Sequence, residues 1–271
     1  MNFQRYALVL SYSGEKYAGW QTQPEGNTVQ DQLEKALTTI AVQPISTVCA
    51  GRTDAGVHAL AQVCHVDLPT SRPITAWVRG VNGLLDYSVK VKSIHAVSDK
   101  FHARYWALDR CYRYVICRSS VSNPLLHLRV GWVFRPLDVE VMLAAAQSLI
   151  GEHDFSSFRS SQCQANSPIR AIRNIEFHED QNLLFIEFRA NAFLHHMIRN
   201  IVGALVEVGT ARRDIAWFKA MFEAKDRRLG APTFAPDGLY FCGATYPAAD
   251  TPSSLQIACE PSALNKAQWW A

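Results

Sequence analysis

Apolar residues recur along this chain at two periods, and the switches between them lay out its elements. Alternation and short apolar runs predict strands over residues 5–12, 45–50, 62–68 and 88–97. Between the first two strands, Val29, Leu33, Leu37 and Ile40 repeat at helical spacing. Thr28 and Asp31 precede them as a Ser/Thr-x-x-Asp/Glu helix start, in which the hydroxyl and the acid satisfy exposed backbone N–H groups. A weaker helical pattern covers 74–84. The second half repeats the order. A strand over 110–118 puts Tyr112, Tyr114 and Ile116 on one face. Asp138 caps a helix running to Ile150, which Gly151 ends. Strands over 171–178 and 183–190 follow. A helix over 191–208 carries the stripe Leu194, Met197, Ile198, Ile201 and Leu205, and a shorter helix covers 214–224. The last strand is 239–246.

Each half reads β-α-β-β-α-β, the ferredoxin-like order, so the expected class is α+β. The expected boundaries are 1–105 for the first half and 106–247 for the second. A tail follows at 248–271, rich in Ala, Pro and Ser, loosely attached and carrying Trp269 and Trp270. Residues 155–170 read as a long loop rich in Ser and Gln that carries Arg159 and Arg170, and loops of that length are often functional.

Composition narrows the classes. Of 271 residues 48% are apolar and 19% charged, which supplies a core and excludes a disordered chain. No run approaches the roughly 20 apolar residues that cross a bilayer, and the start reads as a strand, not a signal peptide. Seven scattered cysteines with no Cys-x-x-Cys favour reduced thiols in a cytoplasmic protein over a disulfide framework or a zinc site. The net charge of +3 is mild, but it is unevenly spread. Lys100, Arg104, Arg110, Arg113, Arg118, Arg129 and Arg135 are opposed locally only by Asp99 and Asp109. Tyr105, Trp106, Tyr112 and Tyr114 lie among them, a mixture suited to holding phosphates and stacking bases. A solvated strand face with snorkelling arginines fits the same residues equally well.

The candidate chemistry centres on Gly51-Arg52-Thr53-Asp54-Ala55-Gly56-Val57-His58-Ala59. Glycines tighten a turn between two strands and present a carboxylate two residues after an arginine. Asp-x-Gly alone is a common turn. The whole run resembles the active-site motif of the tRNA pseudouridine synthase A family. Further matches are Arg110-Cys111-Tyr112-Arg113-Tyr114 and Asn191-Ala192-Phe193-Leu194-His195-His196-Met197-Ile198-Arg199-Asn200, with Ile198 where the family usually has valine. Phe101-His102-Ala103-Arg104, His153-Asp154-Phe155 and Gly238-Leu239-Tyr240 also match. The opening, Tyr12 to Gln21, is similar too, with Ser13 where the family usually has aspartate.

The resemblance implies the pseudouridine synthase fold: two ferredoxin-like halves sharing one mostly antiparallel sheet, helices on one face and a catalytic cleft on the other. It implies isomerisation of uridine to pseudouridine at positions 38 to 40 of the tRNA anticodon arm, without a cofactor, by a homodimer. Asp54 would be the catalytic carboxylate. Arg52 would contact the substrate backbone or fill the place of the flipped base. Tyr112 would pack on the target base, Arg199 would pair with Asp54 and keep it ionised, and Leu239 would line the uracil pocket. No metal is expected: His195 and His196, adjacent on a helix, would diverge, and zinc helices use i, i+4 spacing. Two other readings fit fewer residues. A carboxylate-dependent nucleoside or glycoside hydrolase often pairs two carboxylates, and Asp54 has no second acid in comparable context. An RNA-binding module without catalysis would tolerate loss of Asp54.

Overall fold

The computed structural model describes residues 3–70 and 72–259, in two compact units. The first reaches to Cys111 and resumes at Tyr240; the second is Tyr112–Leu239. The first unit runs β1 (Phe3–Tyr12), α1 (Val29–Ala41), β2 (Val48–Cys49), β3 (His58–Pro69), α2 (Ile74–Leu84) and β4 (Val89–Ala96). β1 lies in the middle, antiparallel to β3 with Val9 opposite Val63, and antiparallel to β4 with Leu8 opposite Ile94. β2 pairs antiparallel with the far side of β3. The order β4-β1-β3-β2 is the ferredoxin-like arrangement. A central strand is covered on both faces, which is why Ala7 to Leu10 read as an unbroken apolar run and are fully buried. α1 packs Leu33 and Leu37 inward behind a complete capping box between Thr28 and Asp31.

The second unit contains β5 (Asp109–Arg118) from Tyr112 onward, then β6 (Gly131–Val133), α3 (Val139–Gln147), β7 (Gly151–Asp154), β8 (Ile169–Asp180), β9 (Leu183–Ala190), α4 (Met197–Gly209) and α5 (Ile215–Glu223). Its strand order is β5-β9-β8-β7, with β6 parallel to β5. Asp138 and Asp214 cap α3 and α5 through their carboxylates. The chain then returns to the first unit as β10 (Leu239–Thr245), which pairs parallel to β3 with Tyr240 opposite His58. The class is α+β, as expected. No helix among the described residues is long and apolar enough to cross a membrane.

Several boundaries differ from the sequence reading. β2 is two residues long, and β3 begins at His58, directly after the motif. α3 stops at Gln147, and Gly151 opens β7 at φ 110° instead of ending a helix. α4 begins at Met197, six residues late. Asn191 explains the delay: its Oδ1 accepts the N–H groups of Ala171 and Ala192, which ties the chain to the strand end. His195 therefore lies in a loop and His196 at the N-cap with φ 63°, their ring centroids 3.9 Å apart, so the expected divergence on a helix does not apply. The segment after Pro247 is not loose throughout. α6 (Ser253–Cys259) follows, Leu255 and Thr251 are buried, and Ser254 hydrogen-bonds His95 at 2.9 Å. Trp269 and Trp270 lie outside the described residues.

Candidate active site

The Asp54 loop joins β2 to β3, and its backbone is held nearly residue by residue. The Ala50 N–H donates to Val63 O at 2.8 Å, continuing the β2–β3 ladder. Gln62, fully buried on β3, donates from Nε2 to the Gly51 carbonyl at 2.6 Å. Tyr12 at the end of β1 shares a buried 2.8 Å hydrogen bond with Thr53 Oγ1. The Thr53 carbonyl accepts the Trp20 N–H at 3.0 Å, and the Val57 N–H donates to Asp54 O at 3.1 Å to close the turn. Thr53 and Val57 are buried, Asp54 is half-buried, and Arg52 and Ala55 are exposed. The arrangement fixes the main chain and leaves Arg52 exposed and Asp54 half-buried.

The segment after β1 forms one wall of this loop, which explains its glycines. A Cβ on Gly14 would stand 2.1 Å from Val57 O, and Gly19 at φ 100° would meet Thr53 O at 2.6 Å. Only backbone without side chains approaches so closely. The Gly14 N–H also donates to His58 Nδ1 at 3.1 Å, fixing that ring's tautomer against Tyr240, stacked at 4.7 Å. Burial pushes the Tyr12 phenol well above its ordinary range, so the hydroxyl stays protonated and keeps its bond to Thr53. The sequence reading missed Tyr12, Thr53 and Gln62 as supports. A glutamine inside the apolar run Ala59 to Cys64 of β3 was the available signal.

Arg110 is a second support, on the other side of the loop. Its guanidinium donates to Ala50 O from Nε at 3.3 Å and from Nη2 at 3.2 Å, to Ala107 O at 2.9 Å, and to Arg104 O. Burial pushes the neighbouring Cys49 thiol up to about 12, against the opposing pull of Arg52 and then Arg104.

In the second unit, Tyr112 on β5 is 7% exposed, with the Phe193 ring edge-on at 5.1 Å. Tyr114 is structural, as expected: it is fully buried and donates to Ala235 O at 2.7 Å. Arg199, in the first turn of α4, donates from Nε to Phe234 O at 2.9 Å, and the Phe234 N–H returns a bond to Arg199 O. Gly203 permits this approach, since a Cβ there would lie 2.3 Å from Pro232 O. Leu239 is buried at the start of β10, just after Gly238 O accepts the Val115 N–H at 2.8 Å. Tyr112, Arg199 and Leu239 thus sit on strands or a helix, and Arg52 and Asp54 on the hydrogen-bonded loop between β2 and β3.

The basic and aromatic segment is less open than its composition implies. Arg110 is engaged by carbonyls. Arg113 is 2% exposed and paired with Glu187, and Arg118 is bound to Glu179 and Gln181 O. These three arginines therefore brace strands from within, as neither the phosphate-holding nor the solvated-face reading expected, whereas Arg104 and Tyr105 are exposed.

Known proteins agree with this architecture. The family model described as tRNA pseudouridine synthase matches residues 8–106 and 145–247. The first stretch holds Arg52 and Asp54, the second Arg199 and Leu239, and Tyr112 lies between them. The tRNA pseudouridine synthase A of Bordetella parapertussis is 54% identical over 246 residues, covering 90% of this chain and 91% of that protein. Those of Bordetella avium and Paraburkholderia xenovorans are 51% and 48% identical, each covering 90% of this chain and 92% and 90% of their own.

Proposed function

The chain belongs to the tRNA pseudouridine synthase family, and from that premise we propose that it isomerises uridine at positions 38, 39 or 40 of the tRNA anticodon arm, without a cofactor and with Asp54 as the catalytic carboxylate. The reaction breaks the bond between uracil N1 and ribose C1′, turns the ring, and joins C5 to C1′. C5 gives up a proton and N1 gains one, so atoms balance and no electron is transferred. Such chemistry asks for a carboxylate at the sugar and ring, a flat group to hold the base, and a base drawn out of its stack.

Asp54 supplies the carboxylate, and Tyr112 supplies the plate on which the uracil rests. Arg52 takes the RNA backbone or the space the base leaves. Arg199 is the cation we assign to the carboxylate, and Leu239 is an apolar wall of the uracil pocket. The observation that carries this reading is the loop itself. Its main chain is clamped at Ala50, Gly51 and Thr53, while the Asp54 side chain stays half-exposed. Preorganised loops on a rigid scaffold are where catalytic groups sit. We place the reaction in the cytoplasm, in keeping with free thiols at Cys49, Cys64, Cys111, Cys117, Cys163 and Cys242, and assign the working form as a homodimer.

The test is tritium release from unmodified tRNA labelled at uridine C5, with wild type beside Asp54→Asn. Release by wild type with uracil retained in the RNA, and loss of at least a thousandfold in the variant, is the expected result. Free uracil would instead mark a hydrolase, and an active Asp54→Asn would remove Asp54 from the chemistry.

A further inference from the structure

Tyr105 is 76% exposed, yet one face of its ring is fixed. The His102 ring stacks on it at 4.2 Å and 26°. His102 is itself immobilised, because its Nδ1 accepts the N–H groups of Arg104 at 3.2 Å and Tyr105 at 3.1 Å. Behind it stands His65 at 4.7 Å, whose Nδ1 accepts the Ala103 N–H at 3.1 Å. A column of rings rooted in β3 thus backs one exposed tyrosine. The Arg104 guanidinium carbon lies over the Tyr105 ring, 5.9 Å from its centroid.

We propose that Arg104 and Tyr105 form a second nucleotide platform, taking an unpaired RNA base on the outer face of Tyr105 and the adjacent phosphate on Arg104. The proposal rests on the tRNA reading above. Single exposed aromatics are ordinary. This one differs in having a rigid backing and a cation beside it, the two elements of sequence-tolerant binding to single-stranded nucleic acid. It is also tied to the catalytic loop. Arg110 Nη2 donates to both the Arg104 and the Ala50 carbonyls. Ala50 precedes Asp54 by four residues, so their Cα atoms are at most ~14 Å apart. An RNA strand whose target base meets Asp54 has neighbouring nucleotides within reach of Tyr105.

The experiment measures binding by fluorescence anisotropy with two probes: an unmodified anticodon stem-loop hairpin, and a fully paired RNA duplex of equal length. Tyr105→Ala and Tyr105→Leu are expected to weaken hairpin binding about tenfold, the scale of one lost stack, with duplex binding within about twofold. Tyr105→Phe should match wild type, and Arg104→Gln should lower the slope of log affinity against log salt by about one. Hairpin affinity unchanged in Tyr105→Ala, or equal loss on both probes, overturns the platform. A wild type that releases tritium beside an unaffected Tyr105→Ala removes the platform alone. A wild type that neither prefers the hairpin nor releases tritium removes the tRNA reading and the platform with it.

Discussion

Thr53 connects the buried interior to the carboxylate we propose as catalytic, because it is the residue before Asp54 and its hydroxyl is held by Tyr12. Gln62 Nε2 reaches the Tyr12 hydroxyl at 3.4 Å as well as the Gly51 carbonyl, so one phenol links both sides of Arg52. Tyr12→Phe removes a single oxygen and leaves Thr53 Oγ1 without that partner. The expected loss is about 1–2 kcal/mol of stability, and roughly tenfold or more in kcat as Asp54 loses its fixed place. Affinity for tRNA should stay within about twofold. Thermal melting, tritium release and anisotropy separate the cases: a kcat that holds while the melting temperature falls would leave Tyr12 with no positioning role. The tight turn that carries Arg52 and Asp54 between two strands was legible in the chain because its glycine-flanked run is local. Tyr12 and Gln62 were not, since their meaning depends on partners 41 and 11 residues away. Arg110 was misjudged for the same reason, as a charge count does not show which carbonyls a guanidinium meets.

Elements with local stop and start signals were legible, and those set by tertiary contacts were not. α1 and α2 begin and end close to where periodicity and caps put them, with the Thr28 capping box intact. α4 starts late because the Asn191 side chain binds backbone outside the helix, while Leu194 continues the apolar spacing across the non-helical stretch. The glycines of two helices separate local propensity from packing. Gly83, near the end of α2, has nothing within 4 Å of an added Cβ, so Gly83→Ala should raise stability by about 0.5–1 kcal/mol through lower unfolded-state entropy. Gly203 in α4 faces Pro232 O at 2.3 Å, and Gly203→Ala should cost about 1–3 kcal/mol. The same substitution should also slow turnover, because residues 232–234 share the contact that holds Arg199 Nε. Denaturant melts of the two variants should move in opposite directions; a stabilising Gly203→Ala would mean that α4 and this segment part easily.

Charge is a property of the whole molecule, and here it constrains how the protein meets RNA. A net charge of +3 is small for a protein that holds a polyanion. Arg110, Arg113 and Arg118 are further committed to internal carbonyls and carboxylates. Arg52 and Arg104 are among the exposed cations that one chain offers the RNA. Two chains acting on one tRNA would double the phosphate contacts without raising the charge density of either, which is the physical argument for the homodimer we assign. Each phosphate neutralised releases counterions and contributes about −0.7 to −0.9 to the slope of log affinity against log salt. Sedimentation equilibrium at micromolar protein is expected to give twice the mass of one chain, and anisotropy from low to high salt a slope of about −4 or steeper per tRNA. A single-chain mass with that same slope would mean one subunit carries the RNA alone. A dimer whose affinity ignores salt would mean that binding runs through the apolar and stacking groups, Tyr112, Leu239 and Tyr105, with the arginines serving structure.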